Sequence, residues 1–563
     1  MNRLYGEMGP ARSNGGVRFR YYNPHASRAY IAGGFNNWRA ETCEMRKHPC
    51  GVWEVVVPLG EGLHEYKFVV DDAWVRDPHN PSVMLNEHGT VNSVVEVSAG
   101  GEVRVIAPPE GARDFGRLRA VTSPDWVRDA VIYEVFPRAF SEEGTLEGVR
   151  RRIPELQDLG VTCIWFMPIH DIGRCERKGR LGSPYAIYDY RSIHPDLGTA
   201  DDLQRLVKTA HQHGLRVIMD FVANHSARDC LLTVVHPEWY RRDACGNIEC
   251  AGFGWDDVVA FNYGNAELRK YMIDVMRYWV GQFDIDGYRC DVAALVPTDF
   301  WRDARRALKE IKPDLLLLAE SHEPSHNATA FDVTYEETLP GIVAGVLGGT
   351  LPARAIREMV EEDRRTFPVG SIRLRYLENH DQLRAMRALG RRGYEVAATL
   401  LFTLDGVPLI YNGQEIGEDE RPSLFDPFKI RWDGGDPVIR TLYRNLCHMR
   451  RDVAALRRGS LDFLDVTRDD GVLAYFRQHE HSRVLVALNF TGNMLRTRLR
   501  LPASLSGLEP DTVYFLVERT WHLPPVSVRG ADLGSFELTL EPYGVRAFSV
   551  EENWYTRGVL RGT

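Results

Sequence analysis

Three acidic residues in this 563-residue chain stand where an apolar run gives way to polar sequence. Asp291 closes Asp286-Gly287-Tyr288-Arg289-Cys290-Asp291, Glu320 follows Leu315-Leu316-Leu317-Leu318-Ala319, and Asp381 closes Tyr376-Leu377-Glu378-Asn379-His380-Asp381. Residues two apart on a strand share a face, so Arg289 and Asp291 point the same way. A guanidinium beside a carboxylate lowers its pKa and keeps it ionised, which suits a nucleophile. Glu320 follows the most apolar strand in the chain. Desolvation there raises a carboxyl pKa and suits a proton donor. Two carboxyl groups in opposed environments meet the needs of glycosidic bond cleavage: one attacks the anomeric carbon, the other protonates the leaving oxygen and then activates water. Taken singly, each acid reads equally well as an ion-paired strand-end carboxylate, and spacing alone does not choose.

These acids need a scaffold that brings distant strand ends together. From about residue 124 the chain alternates apolar strand-length runs with amphipathic helical patterns. The runs include Ala130-Val131-Ile132-Tyr133, Cys163-Ile164-Trp165-Phe166-Met167, Leu215-Arg216-Val217-Ile218-Met219 and Val407-Pro408-Leu409-Ile410-Tyr411; helical patterns cover 201–213 and 267–282. Near-continuous apolar strands separated by helices indicate a parallel sheet covered on its faces. Over 124–455 that predicts a (β/α)8 barrel, an α/β fold whose active residues sit where strands end. A doubly wound sheet is the alternative, but no G-x-G-x-x-G loop opens its first helix. Residues 17–99 carry short alternating runs between Gly, Pro and Asn turns and predict a β-sandwich. A Gly- and Pro-containing linker follows over 100–123. Residues 456–552 return to the texture of an antiparallel β domain.

A net charge of −9 without a polybasic face gives no reason for a nucleic-acid or membrane partner. No apolar stretch approaches a membrane span, and a cytoplasmic location is the default expectation. The nine scattered cysteines favour reduced thiols over a disulfide framework. Cys245 and Cys250 lack the partners of a zinc site.

The ordered set of motifs resolves the ambiguity of the single residues. Asp220-x-Val222-x-Asn224-His225, Gly287-Tyr288-Arg289-Cys290-Asp291, Ala319-Glu320 and Asn379-His380-Asp381 resemble the four signature regions of the α-amylase family of glycoside hydrolases, family 13. Gly406 to Glu415 resembles its eighth-strand segment, and Ser183-Pro184-Tyr185 through Asp189-Tyr190 its second-loop motif. The resemblance covers roughly 124–550. It implies a retaining mechanism with Asp291 as nucleophile, Glu320 as acid/base and Asp381 gripping and distorting the sugar. Tyr185, His225, Arg289 and His380 would bind the substrate or orient the nucleophile; Asp220 would pair with Arg289. The family needs no cofactor for this chemistry. Many members hold a structural calcium through the residue equivalent to Asn224, but Ala260 stands where many relatives have an acid, and the insert over about 226–265 is short. A metal is therefore not favoured.

Gly34-Phe35-Asn36-Asn37-Trp38, Glu65-Tyr66-Lys67-Phe68, Trp74 and Asp77 resemble a family 48 carbohydrate-binding module. That likeness implies Trp38, Lys67, Trp74 and Asn92 as a remote glucan site, with aromatic faces against sugar C–H groups. The expected function is hydrolysis of α-1,4-glucosidic bonds in glycogen, starch or maltodextrins. A transglycosylase, branching or debranching enzyme of the same family is the alternative. A non-catalytic glucan-binding protein is the remote one, since all three carboxylates are retained. The substrate class is an α-glucan, and relatives with such an N-terminal domain often form homodimers.

Overall fold

The structure is a computed structural model that describes residues 8–23, 26–48, 51–71, 73–77, 80, 82–85, 91–104, 115–243, 245–252, 254–501 and 508–552. Cys50 and the middle of the linker, 105–114, lie outside the described residues.

Eight parallel strands close into a barrel in chain order: β1 (Ile132–Val135), β2 (Cys163–Phe166), β3 (Arg216–Val222), β4 (Gly287–Asp291), β5 (Leu316–Ala319), β6 (Val333–Tyr335), β7 (Ile372–Arg375) and β8 (Val407–Tyr411). The closing pair sets Ile132 opposite Leu409 and Glu134 opposite Tyr411. Closure excludes the doubly wound alternative. It also explains the apolar strand texture, because both faces are buried. One set of alternate residues fills the barrel: Ile132, Trp165, Ile218, Leu316, Leu318, Leu374 and Leu409 belong to one interior cluster. The other set, including Tyr133, Ile164, Val217, Leu317 and Ile410, packs in the large core that also takes in the helices.

Gly287 opens β4 at φ +151, where an added Cβ would stand 2.1 Å from the Leu316 carbonyl oxygen. Only glycine permits that approach of β4 to β5. The helices predicted over 201–213 and 267–282 span Ala200–Gln212 and Ala266–Phe283. Thr199 caps the first in a capping box with Asp202, and Asn265 caps the second through two backbone N–H groups. The sixth strand, three residues long, left no readable pattern in the sequence.

The chain divides into two compact units. The first comprises 1–119 with 322–328 and 366–369. Its strands form two antiparallel sheets. One runs in the order Ala11–Ser13, Gly16–Tyr22, Val52–Val57, Arg46–Lys47; the other has the path Val103–Arg104, Val91–Val97, Gly62–Val70, Ala29–Gly33. Phe19, Ile31, Tyr66, Phe68 and Val95 share its core. The second unit holds the barrel and a C-terminal pair of antiparallel sheets of six and three strands. In that pair Leu495–Arg500 alternates buried and exposed residues along its length. Among the described residues no helix is long and apolar enough to cross a membrane.

Candidate active site

Upper inward positions of the barrel change from apolar to charged while keeping the strand parity. Ile218 gives way to Asp220 on β3, and Leu318 to Glu320 just past β5; on β4 Arg289 and Asp291 follow Gly287. The acids that sequence spacing places at strand ends therefore project into one shared space.

Arg289 is fully buried and is the hub of this space. Its Nη1 donates to both oxygens of Asp220 at 2.9 and 3.1 Å and to Asp291 Oδ1 at 2.8 Å. Its Nε donates to the Tyr335 hydroxyl at 3.2 Å. Its Nη2 lies 2.8 Å from Glu320 Oε1, an ion-pair contact without the alignment of a hydrogen bond. The other Glu320 oxygen accepts the Val292 backbone N–H at 2.7 Å. Val292 reaches that position in the left-handed region, φ 37 and ψ 47, a costly conformation for a β-branched residue. The strain lies next to the proposed nucleophile and aims a backbone donor at the proposed acid/base.

One guanidinium thus serves three carboxylates, which alters the electrostatics expected from the local sequence. Burial pushes the Asp291 carboxyl above its usual range, and Arg289 opposes this without overcoming it. The expected depression of Asp291 is corrected here: Arg289 lies beside it but is shared with Asp220 and Glu320. Glu320 is also raised, first by burial, with Arg289 opposing and Asp291 adding to the rise. Burial lifts Asp220 to about 7, again against Arg289.

His380 forms the second focus. Its Nδ1 lies 2.5 Å from Glu134 Oε1, and its Nε2 lies 2.8 Å from the Tyr185 hydroxyl and 3.2 Å from Asp381 Oδ2. Tyr185 stacks on the His380 ring at 5.4 Å between centroids and donates to Asp220 Oδ2 at 3.0 Å, joining the two foci. Burial works against a charged His380, but Asp381 and Glu134 outweigh it and carry the imidazole up to about 9. Asp381 is the open member of the group, its side chain 56% exposed. Its backbone N–H is fixed by Asn379 Oδ1 at 3.0 Å.

His225 stands apart. It is buried and packs against Trp255 at 5.5 Å, and its Nδ1 is 3.3 Å from Asn224 Nδ2. Burial drives its pKa down to about 4 and keeps the ring neutral. It makes no hydrogen bond to the carboxylates among the described residues. Asn224 thus turns its amide to His225, and Ala260 lies opposite His225 in the adjoining strand pair. Among the described residues no three His, Cys, Asp or Glu side chains gather as metal ligands.

Of the sequence-predicted residues, Asp291, Glu320, Asp381, Arg289, Asp220, Tyr185 and His380 come together. Glu134 and Tyr335 were not anticipated. A lone acid inside the apolar strand Ile132-Tyr133-Glu134-Val135 was the available signal for the first.

The four residues expected at the N-terminal module divide into two pairs. In Gly34-Phe35-Asn36-Asn37-Trp38 the Asn36 amide clamps the turn, donating to the Ile31 and Arg39 carbonyls at 3.0 Å each and accepting from Gly33 N–H at 2.9 Å. The turn sets the partly exposed Trp38 6.1 Å from Trp74, ring to ring. Lys67 is buried and lies 3.3 Å from Glu323. Asn92, also buried, donates to Glu65 Oε2 at 2.8 Å.

The family description "Alpha amylase, catalytic domain" matches residues 121–236, 254–338 and 348–459. "Glycogen recognition site of AMP-activated protein kinase" matches 17–103. The chain is 32% identical over 499 residues to the α-amylase MalA of Haloarcula japonica, across 84% of this chain and 69% of that protein. It is 27% identical over 424 residues to a cyclomaltodextrinase of a Bacillus species, across 65% and 73%. Among solved structures it resembles the maltogenic α-amylase AmyB from Thermotoga neapolitana, with a TM-score of 0.70 and 34% identity over 76% of this chain and 99% of that one. A closed eight-stranded barrel, its charged upper layer and a catalytic-domain match over more than half of the residues show that the chain belongs to the α-amylase family of glycoside hydrolases, family 13.

Proposed function

We propose that the protein hydrolyses α-1,4-glucosidic bonds of glycogen, starch or maltodextrins with retention of anomeric configuration. The observation that carries this reading is the gathering of Asp291 and Glu320 on the Arg289 guanidinium, with Asp381 open to solvent beside His380. Asp291 attacks the anomeric carbon while Glu320 protonates the departing oxygen. Glu320 then takes a proton from water as the glycosyl-enzyme is hydrolysed. Asp381 and His380 hold hydroxyls of the sugar at the cleavage point, so their grip can tighten as the ring flattens. Burial supports the acid role, because a carboxyl raised above its usual range holds its proton to higher pH than an exposed glutamate does.

The partly exposed Trp38 and Trp74 support glucan binding by the N-terminal module. Lys67 and Asn92 contribute there by holding the fold, given their burial and internal partners. Eight described cysteines, none in a disulfide, support a reducing, cytoplasmic setting.

The test is proton NMR of the first product released from maltodextrin, followed by product analysis on glycogen, amylose and pullulan. An α-anomer appearing before mutarotation is expected. Initial release of the β-anomer would refute retention, and products longer than the substrate would move the enzyme to the transglycosylase reading.

A further inference from the structure

Glu134 is the third residue of β1 and points into the barrel two positions above Ile132, with no solvent exposure. A buried carboxylate is costly unless paired. Its Oε1 meets His380 Nδ1, while its Oε2 has no hydrogen-bond partner among the described residues. His380 therefore supplies its side-chain hydrogen bond among the described residues, and Arg289 adds a longer-range attraction.

Hydrogen-bond accounting around the ring fixes its protons. Burial raises the Glu134 carboxyl, and His380 and Arg289 draw it back toward ionisation; the ionised glutamate only accepts, so Nδ1 carries a proton. At Nε2 the neighbours are the Tyr185 hydroxyl and Asp381 Oδ2. Tyr185 spends its single proton on Asp220 Oδ2, and both Asp220 oxygens already accept from Arg289. Tyr185 must then accept from Nε2, and Asp381 likewise only accepts. Both ring nitrogens donate, which is the imidazolium. The remaining ring neighbour, Trp165, presents an edge-to-face contact at 6.0 Å and no charge. Arg289 opposes the state; Asp381 and Glu134 outweigh it, and Asp220 and Asp291 also attract the charged ring.

We propose that Glu134 is a positioning residue that keeps His380 cationic, with Nε2–H turned toward Asp381 and the sugar. A neutral imidazole bonded to Glu134 through Nδ1–H would turn a lone pair toward that sugar instead of a donor. The inference rests on the proposed role of His380 at the substrate, so its test must separate the two.

The substrate of choice is α-maltosyl fluoride, whose leaving group needs no proton, so that the alkaline limb of kcat/KM does not report Glu320. For the unaltered enzyme this limb should fall near pH 9 as His380 discharges. In Glu134→Gln the amide can donate to Nδ1, and loss of the negative charge lowers the imidazole pKa. The limb should then move down by about two pH units or more. At pH 8 kcat/KM should fall tenfold or more, and at pH 5.5, where the ring is charged again, less than threefold.

A superimposable profile, or an equal loss at every pH, would overturn the proposal. Should Glu134→Gln fail to fold, the comparison passes to His380→Gln and to the double variant Glu134→Gln/His380→Gln, which removes both members of the pair. These two should share one pH profile without the limb near pH 9; a further shift in the double variant would be fatal to the idea. Asp291→Asn on the same fluoride tests the underlying reading separately: activity that survives it defeats the catalytic assignment whatever Glu134 does.

Discussion

Asp286 and Asp291 bracket β4, five residues apart on one strand, and both are buried, yet their surroundings are opposite. Asp286, below the start of the strand, meets three basic side chains. His211 Nε2 lies at 2.7 Å, Arg216 Nη1 at 2.9 Å and Lys312 Nζ at 2.9 Å, and the Val217 backbone N–H adds a fourth contact at 2.8 Å. At the strand's end, Asp291 belongs to a group in which Glu134, Asp220, Asp291, Glu320 and Asp381 pair, among the described residues, with Arg289 and His380 alone. Burial raises a carboxyl pKa in both places. Around Asp286 the bonds from His211, Lys312, Val217 and Arg216 overcome it and hold the acid at about 2. Around Asp291 they do not. The ratio of acids to cations, more than depth, divides the acid that holds the fold from the acids that exchange protons and bonds.

The largest effect expected from this contrast is catalytic. Asp291→Asn should cost on the order of 10⁴-fold or more in kcat on maltodextrin, as loss of a nucleophile does. Because it removes one of five crowded acids, the melting temperature should stay level or rise. Activity and stability falling together would break the contrast, since Asp291 would then be a structural acid like Asp286.

The reverse pattern is expected for Asp286→Asn. Three part-buried basic groups lose their buried counter-ion and keep only the more open Asp284 and Asp314, and breaking a buried pair costs about 3–5 kcal/mol. Urea unfolding should show that loss, while kcat per folded molecule stays within about threefold of the original. The same acid controls part of the pH response. Its carboxyl is depressed from 3.8 to about 2 in the folded protein. The stability it adds, roughly 2–3 kcal/mol, is present above the unfolded pKa and disappears as pH falls toward the folded one. Between pH 5 and pH 2.5 the unaltered protein should therefore lose more stability than Asp286→Asn does. Parallel declines would show that the cage does not hold the charge.

Half of this contrast was legible in the sequence. Asp291, Arg289, Glu320 and the His380-Asp381 pair could be read because motif order and strand parity are local, and the barrel brings strand ends together by rule. What could not be read is which cation serves which acid. The Asp286 cage draws on His211, Arg216 and Lys312 from three separate elements, and Glu134 meets a histidine 246 positions away. Motif reading pairs Arg289 with Asp291 and Asp220, and the closed barrel adds Glu320 to the same guanidinium. The same limit applies to Lys67 and Asn92: the resemblance implies glucan ligands, and the fold buries them against Glu323 and Glu65. The sixth strand escaped because three residues carry no periodicity.

The smallest effect separates a redundant cage from a chain of single contacts. Lys312 is one of three basic groups on Asp286, and its Nζ also donates to the Asp284 carbonyl and carboxylate at 2.8 and 2.7 Å. Replacing it by methionine keeps most of the stem's packing and removes one cation. Asp286 would keep Arg216, His211 and the Val217 N–H, so no buried charge is left alone. The cost should then be about 1 kcal/mol, near that of a partly exposed ion pair and well below the Asp286→Asn loss. Urea unfolding of the two variants side by side gives the answer. If Lys312→Met matches Asp286→Asn, the basic groups are not interchangeable, and the acid-to-cation ratio cannot be what distinguishes the two ends of β4. If the loss is small, the cage is redundant, and the pocket above, where five acids share two cations, is the end of the strand left with charge to spend on a sugar.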